Sequence, residues 1–392
     1  MNYAKRMKDL KPSDIREVMK LIASNPGTIS FAGGLPDPDL FPKEEMRKAT
    51  DKVMRESSHV ALQYGLTLGQ ISLREKIAGL MKKEGVEAGV GNIAVTTGSQ
   101  QAITIAAMMY MEEDDVIITE NPSYLGAISA FKPFSTNIIG VDGDEEGMLI
   151  DQLEQAIKRT PKAKLIYVIP NFQNPTGRTW SLERRKGLLE VATRHDLIVL
   201  EDNAYGEVRF EGERIPSIKS MDTEGRVLYF GSFSKILSPG LRVGWVCADQ
   251  GTIGKYELVK NGMDLQSAEL AQMQVNEFLE SNDLDAHIGK INSVYRMRRD
   301  LMLETISKEF PGDAKYYYPK GGMFIWVELP SHMNTRELLH KAIERKVAFV
   351  PGGSFYPGGD CESSMRLNFS TMQDEKIVAG IKILGELLRE SI

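Results

Sequence analysis

Between about residues 90 and 250, short apolar runs alternate with amphipathic stretches, and this alternation constrains the fold more than any other feature. Strand-length apolar runs stand at 93–96, 116–119, 137–141, 165–169 and 197–200. Stretches with helical periodicity lie between them, as at 151–157. Such alternation implies a mostly parallel sheet with helices on both faces. The sequence therefore predicts an α/β fold.

Composition and charge exclude several classes of protein. The chain has 392 residues with a formal net charge of −6 and no Lys/Arg block, which argues against a nucleic-acid partner. Two cysteines and five scattered histidines suggest neither a disulfide framework nor a metal site. The N-terminus lacks the apolar segment of a signal peptide, and no run is long enough to span a membrane. We expect a cytoplasmic protein without a metal.

One lysine stands in a setting that suits covalent chemistry. Lys235 lies between hydroxyl residues in Gly231–Gly240 (Gly-Ser-Phe-Ser-Lys-Ile-Leu-Ser-Pro-Gly), and Arg242 follows seven positions later. A nucleophilic lysine must lose its proton, and a nearby cation or a dry pocket lowers its pKa enough. Ser232, Ser234 and Arg242 are natural phosphate ligands. Phosphate and an amine-reactive aldehyde together describe pyridoxal phosphate, although this motif alone also fits a solvated loop lysine.

Two polar segments each follow an apolar, strand-like run. They are Asn171–Gly177 (Asn-Phe-Gln-Asn-Pro-Thr-Gly) and Asp202–Tyr205 (Asp-Asn-Ala-Tyr). In open α/β sheets, ligands bind beyond the carboxyl ends of the strands. Asp202 can keep the pyridine nitrogen of the cofactor protonated there, which makes the ring a better electron sink. Asn174 and Tyr205 can hydrogen-bond the ring hydroxyl oxygen.

A third segment suits the phosphate of the same cofactor. Residues 96–102 read Thr-Thr-Gly-Ser-Gln-Gln-Ala and begin a helix directly after the run at 93–96. Helix N-termini present free N–H groups and the positive end of the helix dipole. Gly98, Ser99 and Gln100 are therefore candidate cofactor ligands.

The ordered set of motifs resembles the class I/II pyridoxal-phosphate aminotransferases of fold type I. The set comprises Asn-Pro-Thr-Gly at 174–177, Asp-x-x-Tyr at 202–205, Ser-x-Ser-Lys at 232–235, Gly-x-Arg-x-Gly at 240–244 and Met-Arg-Leu-Asn-Phe-Ser at 365–370. The match runs from about residue 29 to residue 370. Within the family, the segments at 29–38 and 173–177 are similar to the aminoadipate/kynurenine aminotransferase subgroup.

The resemblance implies an aspartate-aminotransferase-like architecture. A large domain has a mostly parallel, seven-stranded-type sheet covered by helices, and a smaller α/β domain accompanies it. The pattern after residue 283 fits the smaller domain, with a long helical stretch at 283–310 and a strand at 347–350. We expect an N-terminal segment 1–44 that joins the small domain, a large cofactor domain 45–287 and a small domain 288–392.

Roles for further residues come from the resemblance. Lys235 forms the Schiff base with the cofactor and then moves the proton. Arg366 matches the arginine that binds the substrate α-carboxylate, for which a planar guanidinium is well suited, and Gly34 and Asn174 lie beside the substrate. Tyr124 resembles the aromatic residue that stacks on the ring.

Two residues match family positions at the edge of the site. Tyr64 resembles the tyrosine that reaches the phosphate from the neighbouring subunit, which implies a homodimer with composite active sites. Arg16 lies on a short N-terminal helix that covers the site in the similar subgroup, where its arginine meets an acidic side chain. Its spacing relative to Ile15, Val18, Met19 and Ile22 also fits a solvated helix face.

The implied activity is ping-pong transfer of an amino group from an amino acid to a 2-oxo acid, usually 2-oxoglutarate. We expect a broad donor range that includes 2-aminoadipate or glutamate and aromatic or aliphatic amino acids. The motifs also fit a carbon–sulfur lyase that uses the same cofactor. A transcription regulator with this fold is disfavoured, since the family pattern begins by residue 29 and leaves no room ahead for a helix-turn-helix module. The sequence does not identify the physiological donor.

Overall fold

The structure, a computed structural model, describes residues 2–7, 14–135, 137–359 and 361–391. Its strands, in chain order, are β1 (Ile29–Ser30), β2 (Ile93–Thr96), β3 (Val116–Asn121), β4 (Ile138–Asp144), β5 (Gly147–Met148), β6 (Ala163–Val168), β7 (Ile198–Asp202), β8 (Val227–Ser232), β9 (Gly244–Cys247), β10 (Lys315–Tyr316), β11 (Phe324–Glu328), β12 (Val347–Ala348), β13 (Val350–Pro351) and β14 (Ser364–Asn368).

The helices follow most of the strands and cover the sheets. In chain order they are α1 (Asp14–Ala23), α2 (Lys43–Ala61), α3 (Ile71–Lys83), α4 (Ser99–Tyr110), α5 (Leu125–Phe131), α6 (Ile150–Arg159), α7 (Leu182–Arg194), α8 (Ile218–Met221), α9 (Gln250–Asp264), α10 (Glu269–Ser281), α11 (Leu284–Glu309), α12 (Thr335–Glu344) and α13 (Asp374–Ser391). Side-chain caps fix several starts: the carboxylate of Asp283, for example, accepts the N–H of Ala286 at the start of α11.

The main sheet has eight strands in the described residues, in the order β2-β9-β8-β7-β6-β3-β4-β5. Strands β8, β7, β6, β3 and β4 run parallel to one another, and β9 runs antiparallel between β2 and β8. The predicted mostly parallel sheet is confirmed. The seven expected strands are joined by an eighth, β5, because a tight turn at residues 145–146 folds the chain back on the end of β4.

The sheet is buried on both faces, which explains its continuous apolar runs. Consecutive residues of one strand pack in different hydrophobic clusters, one on each face of the sheet: Leu165 belongs to one cluster and Ile166 to the other. The same alternation separates Leu200 from Val199 on the neighbouring strand. Side chains of a strand point to opposite faces in turn, so a run without polar residues needs helices on both sides.

A second, antiparallel sheet has the order β10-β11-β14-β13. Strand β1 pairs with β12 in parallel, with Ile29 opposite Val347, so the N-terminal segment returns to the C-terminal part of the chain. The single strand expected at 347–350 is instead two strands that belong to different sheets, β12 and β13. Helix α11 runs across residue 287, and the two domain boundaries, at 44/45 and 287/288, stay a prediction.

Two searches of the described residues gave negative results. None of the helices there is long and apolar enough to cross a membrane. Within the same part of the chain, no three His, Cys, Asp or Glu side chains are grouped as a metal site requires.

Candidate active site

The polar segments meet at one edge of the main sheet. Because β6, β7 and β8 are parallel, the residues that follow them lie side by side. Strand β2 has the same direction as β8, since both are antiparallel to β9, so the start of α4 arrives at the same edge. The sheet topology therefore assembles one site from segments that are far apart in sequence.

Lys235 lies just beyond β8 and is partly buried. Its Nζ donates a hydrogen bond of 2.8 Å to the carbonyl oxygen of Gly34. Burial, together with the positive charges of Arg366 and Arg242, lowers the pKa of Lys235 from 10.5 to about 8, although Asp202 acts in the opposite direction. The amine therefore carries a usable neutral fraction near neutral pH, as a nucleophile or proton carrier needs.

Asp202 is the last residue of β7 and is 2% exposed. Its Oδ2 accepts a hydrogen bond of 2.8 Å from the hydroxyl of Tyr167, and its Oδ1 is buried without a hydrogen-bond partner. Burial raises the pKa of Asp202 to about 6, while the Tyr167 hydroxyl, the backbone N–H of Ala204 and the Lys235 charge oppose this shift. At pH 7 the side chain is mainly a carboxylate with one oxygen free to accept a hydrogen bond.

A chain of hydrogen bonds links Tyr205, Asn174 and Arg366. The amide Nδ2 of Asn174 donates to the Tyr205 hydroxyl at 3.2 Å, and Oδ1 of Asn174 accepts from Nη1 of Arg366 at 2.8 Å. All three side chains are buried. Asn174 therefore orients a phenol and a guanidinium at the same time, in the neighbourhood of Lys235.

Arg366 sits in the middle of β14, opposite Trp326. Its Nη2 donates to the carbonyl oxygen of Ala32 at 2.9 Å, and its guanidinium lies over the ring of Phe324, 4.2 Å from the ring centre. Its Nε is buried without a partner. Burial lowers the pKa of Arg366 to about 10, so it is still a cation at neutral pH and has hydrogen-bonding capacity to spare.

The start of α4 and the segment after β8 form a corner suited to an anion. Gly98 adopts a φ of +74°, which favours glycine, and a Cβ built there would lie 2.3 Å from Nη2 of Arg242 and displace the guanidinium. The hydroxyl of Ser232 bonds that of Ser234 at 2.9 Å. Ser99 is the first residue of α4. Free N–H groups, two hydroxyls and a guanidinium are suitable phosphate ligands.

Tyr124 and Gln100 form the wall between α4 and α5. Nε2 of Gln100 donates to the carbonyl oxygen of Gly126 at 2.7 Å. The ring of Tyr124 covers Gly126 so closely that an added Cβ would lie 2.4 Å from it. Burial raises the pKa of Tyr124, which keeps the phenol neutral. The wall therefore presents a fixed aromatic ring to the site.

These side chains line a solvent-open cavity of about 220 Å³. The predicted residues that line it are Gly34, Ser99, Gln100, Tyr124, Asn174, Asp202, Tyr205, Ser232, Ser234, Lys235, Arg242 and Arg366. Gly98 stands behind Arg242 at its edge. The structure thus brings together most of the residues that the sequence indicated, and their individual roles stay predictions.

One predicted residue is not brought to the cavity, and for another the structure describes the backbone alone. Tyr64 is 78% exposed and does not line it. Arg16 belongs to α1, and its side chain lies outside the part of the chain that the structure describes.

The sequence reasoning missed two contributors. Tyr167, whose hydroxyl donates to Asp202, lies inside the run 165–169, and the apolar character of this run hides the hydroxyl. One hydroxyl within a buried run, next to a strand that ends in an aspartate, was the available signal. The carbonyl oxygen of Ala32 is the second contributor, and a backbone atom leaves no signal in the residue type.

The cavity fits pyridoxal phosphate on its own geometry. The unpartnered Oδ1 of Asp202 is an acceptor for a protonated pyridine nitrogen, and Lys235 supplies an amine of lowered pKa. The corner at Ser99 and Arg242 suits the phosphate. Such a cavity at the carboxyl edge of an α/β sheet defines the class of pyridoxal-phosphate enzymes.

Comparisons with known proteins specify the family. The family model described as aminotransferase class I and II matches residues 30–384. The aromatic-amino-acid aminotransferase 1 of Thermococcus litoralis is 40% identical over 395 residues, which cover 100% of this chain and 94% of that protein.

Solved structures of similar sequence share the whole fold. A kynurenine aminotransferase from Pyrococcus horikoshii, in complex with PMP, has a TM-score of 0.95 at 40% identity and covers 100% of this chain and 97% of its own. An α-aminoadipate aminotransferase from Thermus thermophilus, complexed with N-(5′-phosphopyridoxyl)-L-leucine, has a TM-score of 0.91 at 38% identity, covering 99% and 97%. The chain belongs to the class I and II aminotransferase family and is a pyridoxal-phosphate-dependent aminotransferase. The carbon–sulfur lyase alternative is not favoured.

Proposed function

We propose that this enzyme moves the amino group of 2-aminoadipate or glutamate, and of aromatic or aliphatic amino acids, to a 2-oxo acid, with 2-oxoglutarate as the main acceptor. The observation that carries the proposal is that Lys235, Asp202 and Arg366 line one cavity. The first supplies an amine, the second an unpartnered carboxylate oxygen and the third a buried guanidinium. Amino-group transfer by a ping-pong mechanism requires all three groups together.

The protein residues divide the work around the cofactor. When bound, pyridoxal phosphate supplies an electron sink for negative charge that develops at the substrate Cα. Asp202 would accept the N–H of the ring through Oδ1 and so would keep the ring nitrogen protonated. Lys235, whose pKa is lowered, would hold the cofactor through its Nζ and would carry the proton taken from the substrate Cα at the same atom.

Arg366 is the group that holds the α-carboxylate of the substrate. Its guanidinium cannot turn freely, because Asn174 and Ala32 accept two of its N–H groups and Phe324 lies beneath it. A fixed, buried cation binds a carboxylate in one orientation. This orientation places the Cα–H bond for proton removal by Lys235.

The charges of the cavity support a broad range of side chains. Among the lining residues, the cations are Lys235, Arg242 and Arg366, and each already has a role at the amine, the phosphate or the α-carboxylate. An acidic substrate side chain must then be bound by a group outside this set of lining residues, and we propose Arg16 on α1 for this role. The names of the relatives, which include aromatic, kynurenine and α-aminoadipate aminotransferases, support this range.

We further propose a cytoplasmic homodimer whose active sites are shared between subunits. The exposed phenol of Tyr64 supports this arrangement, since the residue does not serve the cavity of its own chain. Both cysteines, Cys247 and Cys361, are free thiols, as is usual in a reducing compartment. The bounds 1–44, 45–287 and 288–392 describe the proposed domains.

A panel of amino donors with 2-oxoglutarate, analysed as kcat/KM, tests the substrate range. The Arg16→Ala variant is expected to lose about thirtyfold or more for 2-aminoadipate and glutamate, because a charge-assisted contact is worth roughly 2–5 kcal/mol. Leucine and phenylalanine should be affected little. Lys20→Ala, an exposed cation on the same helix, is the control.

Two results would contradict the proposal. An equal loss for acidic and apolar donors would show that Arg16 does not contact the side chain. Formation of a 2-oxo acid at full rate without any acceptor would indicate elimination instead of amino transfer.

A further inference from the structure

The hydroxyl of Tyr167 stands where packing alone would favour phenylalanine. Tyr167 is fully buried in β6, between Thr119 of β3 and Leu200 of β7. Its ring meets that of Phe131 edge to face, with 5.6 Å between the ring centres. The ring therefore contributes to the core, whereas a hydroxyl buried there costs free energy unless it has a partner.

The partner of this hydroxyl is the carboxylate of Asp202 on the next strand. The bond to Oδ2 measures 2.8 Å, and both side chains are almost completely buried. The χ2 torsion of an aspartate is broad, so a carboxylate without a fixed partner turns over a wide range. One anchored oxygen removes this freedom, and Oδ1 stays unpartnered among the described residues.

We propose that Tyr167 is a positioning residue that holds Oδ2 of Asp202 and thereby leaves Oδ1 fixed as the acceptor for the ring nitrogen of the cofactor. The inference rests on the proposed role of Asp202 at that nitrogen. Tyr167 touches neither substrate nor cofactor in this account, and it acts only through the carboxylate. Its hydroxyl also keeps the carboxylate anionic, so the proton remains on the ring nitrogen.

The test is Tyr167→Phe, which removes the hydroxyl and keeps the ring. Equilibrium binding of pyridoxal phosphate to the cofactor-free protein should weaken about ten- to a hundredfold, the range for losing a hydrogen bond to a charged group. With the ring nitrogen labelled with ¹⁵N, its NMR signal should move towards the unprotonated position. In turnover, kcat should fall, whereas KM for the amino donor should stay the same because Arg366 is unchanged.

A double variant separates positioning from general loosening of the core. In an Asp202→Asn background, Tyr167→Phe should have no further effect on cofactor affinity, since the carboxylate through which Tyr167 acts is already absent. Tyr229→Phe is the matched control, because this buried hydroxyl on β8 accepts from Nδ2 of Asn203 at 2.6 Å and does not contact Asp202. It should leave the affinity and the nitrogen signal unchanged.

Three outcomes would overturn the proposal. They are an unmoved nitrogen signal in Tyr167→Phe, an additive loss in the double variant, and an equal shift in Tyr229→Phe. Failure of the wild-type protein to bind pyridoxal phosphate would instead contradict the role of the whole cavity, so the two failures are distinguishable.

Discussion

Burial disfavours the charged form of both Lys235 and Asp202. It therefore lowers the pKa of the lysine and raises the pKa of the aspartate. The lysine pKa falls to about 8, and the aspartate pKa rises to about 6. The two shifts leave a carboxylate that is still mostly ionised at pH 7 beside an amine that is partly neutral. Burial at one cavity thus leaves a partly neutral amine and an ionised carboxylate close together, as the proposed roles of Lys235 and Asp202 require.

The lowered pKa of Lys235 predicts how cofactor uptake depends on pH. The neutral amine is the reacting form, so the rate of covalent uptake of pyridoxal phosphate by the cofactor-free protein should rise as pH increases through about 8 and then level off. Stopped-flow absorbance at saturating cofactor measures this rate. An unhindered lysine in a short peptide is the control and should have its midpoint near 10.5. The same high midpoint in the protein would show that the cavity does not shift the amine.

The Lys235→Ala variant should lose essentially all turnover and the visible absorbance of the lysine-bound cofactor. No other lysine lines the cavity, so no other described amine can replace it. Absorbance spectra and the rate with a good donor are the measurements. A Lys235→Ala protein with the wild-type rate would end this account of the site.

At the scale of elements, the N-terminal segment determines whether the site is complete. It supplies the carbonyl oxygens of Ala32 and Gly34, which accept from Arg366 and Lys235. A buried ion pair of 2.7 Å between Asp37 and Arg298 fixes this segment to α11. Residues 31–37 of this segment form neither helix nor strand, so their position depends on such contacts.

Asp37→Asn should therefore destabilise the protein by about 3–5 kcal/mol, because it removes the buried counter-charge of Arg298 and leaves only the exposed carboxylate of Asp374 at 4.0 Å. Urea unfolding measures the loss, and KM for the donor should rise with it as Ala32 and Gly34 lose their fixed positions. Asp39→Asn removes the exposed ion pair with Lys43 in the same segment and should have little effect. Equal stability of the two variants would contradict the role of the buried pair.

At the scale of the molecule, large side chains are exposed at and on either side of Tyr64 in the sequence. Leu62, Tyr64 and Leu66 are 71%, 78% and 55% exposed, and grouped exposed apolar residues favour an interaction site. A second copy of the chain is the partner that the proposed composite site requires. Sedimentation should then find a dimer.

Mixing inactive subunits tests the composite site directly. If Tyr64 serves the cavity of its partner, a Tyr64→Ala subunit combined with a Lys235→Ala subunit should regain activity, since one of the two sites in the hybrid has both residues intact. Dissociation, mixing and reassociation followed by assay give the measurement. Unmixed variants treated in the same way are the control. A fully active monomer would refute the shared site.

The sequence determined the features that depend on periodicity and on residue chemistry. Apolar runs of strand length between helical stretches predicted the mostly parallel sheet. The motifs around Asn174, Asp202 and Lys235 together indicated the cofactor, because amine, carboxylate and amide groups are visible as residue types. Family resemblance added Arg366, which the structure brings to the same cavity.

Tertiary structure alone decided which groups pair within that cavity. Lys235 bonds Gly34 across 201 residues of sequence, and Arg366 bonds Ala32 across 334 residues. No local sequence pattern predicts these two hydrogen bonds. The bond from Tyr167 to Asp202 likewise depends on the lateral order of two strands. The pKa shifts belong to this level too, because burial and charge at a distance exist only once the chain has folded.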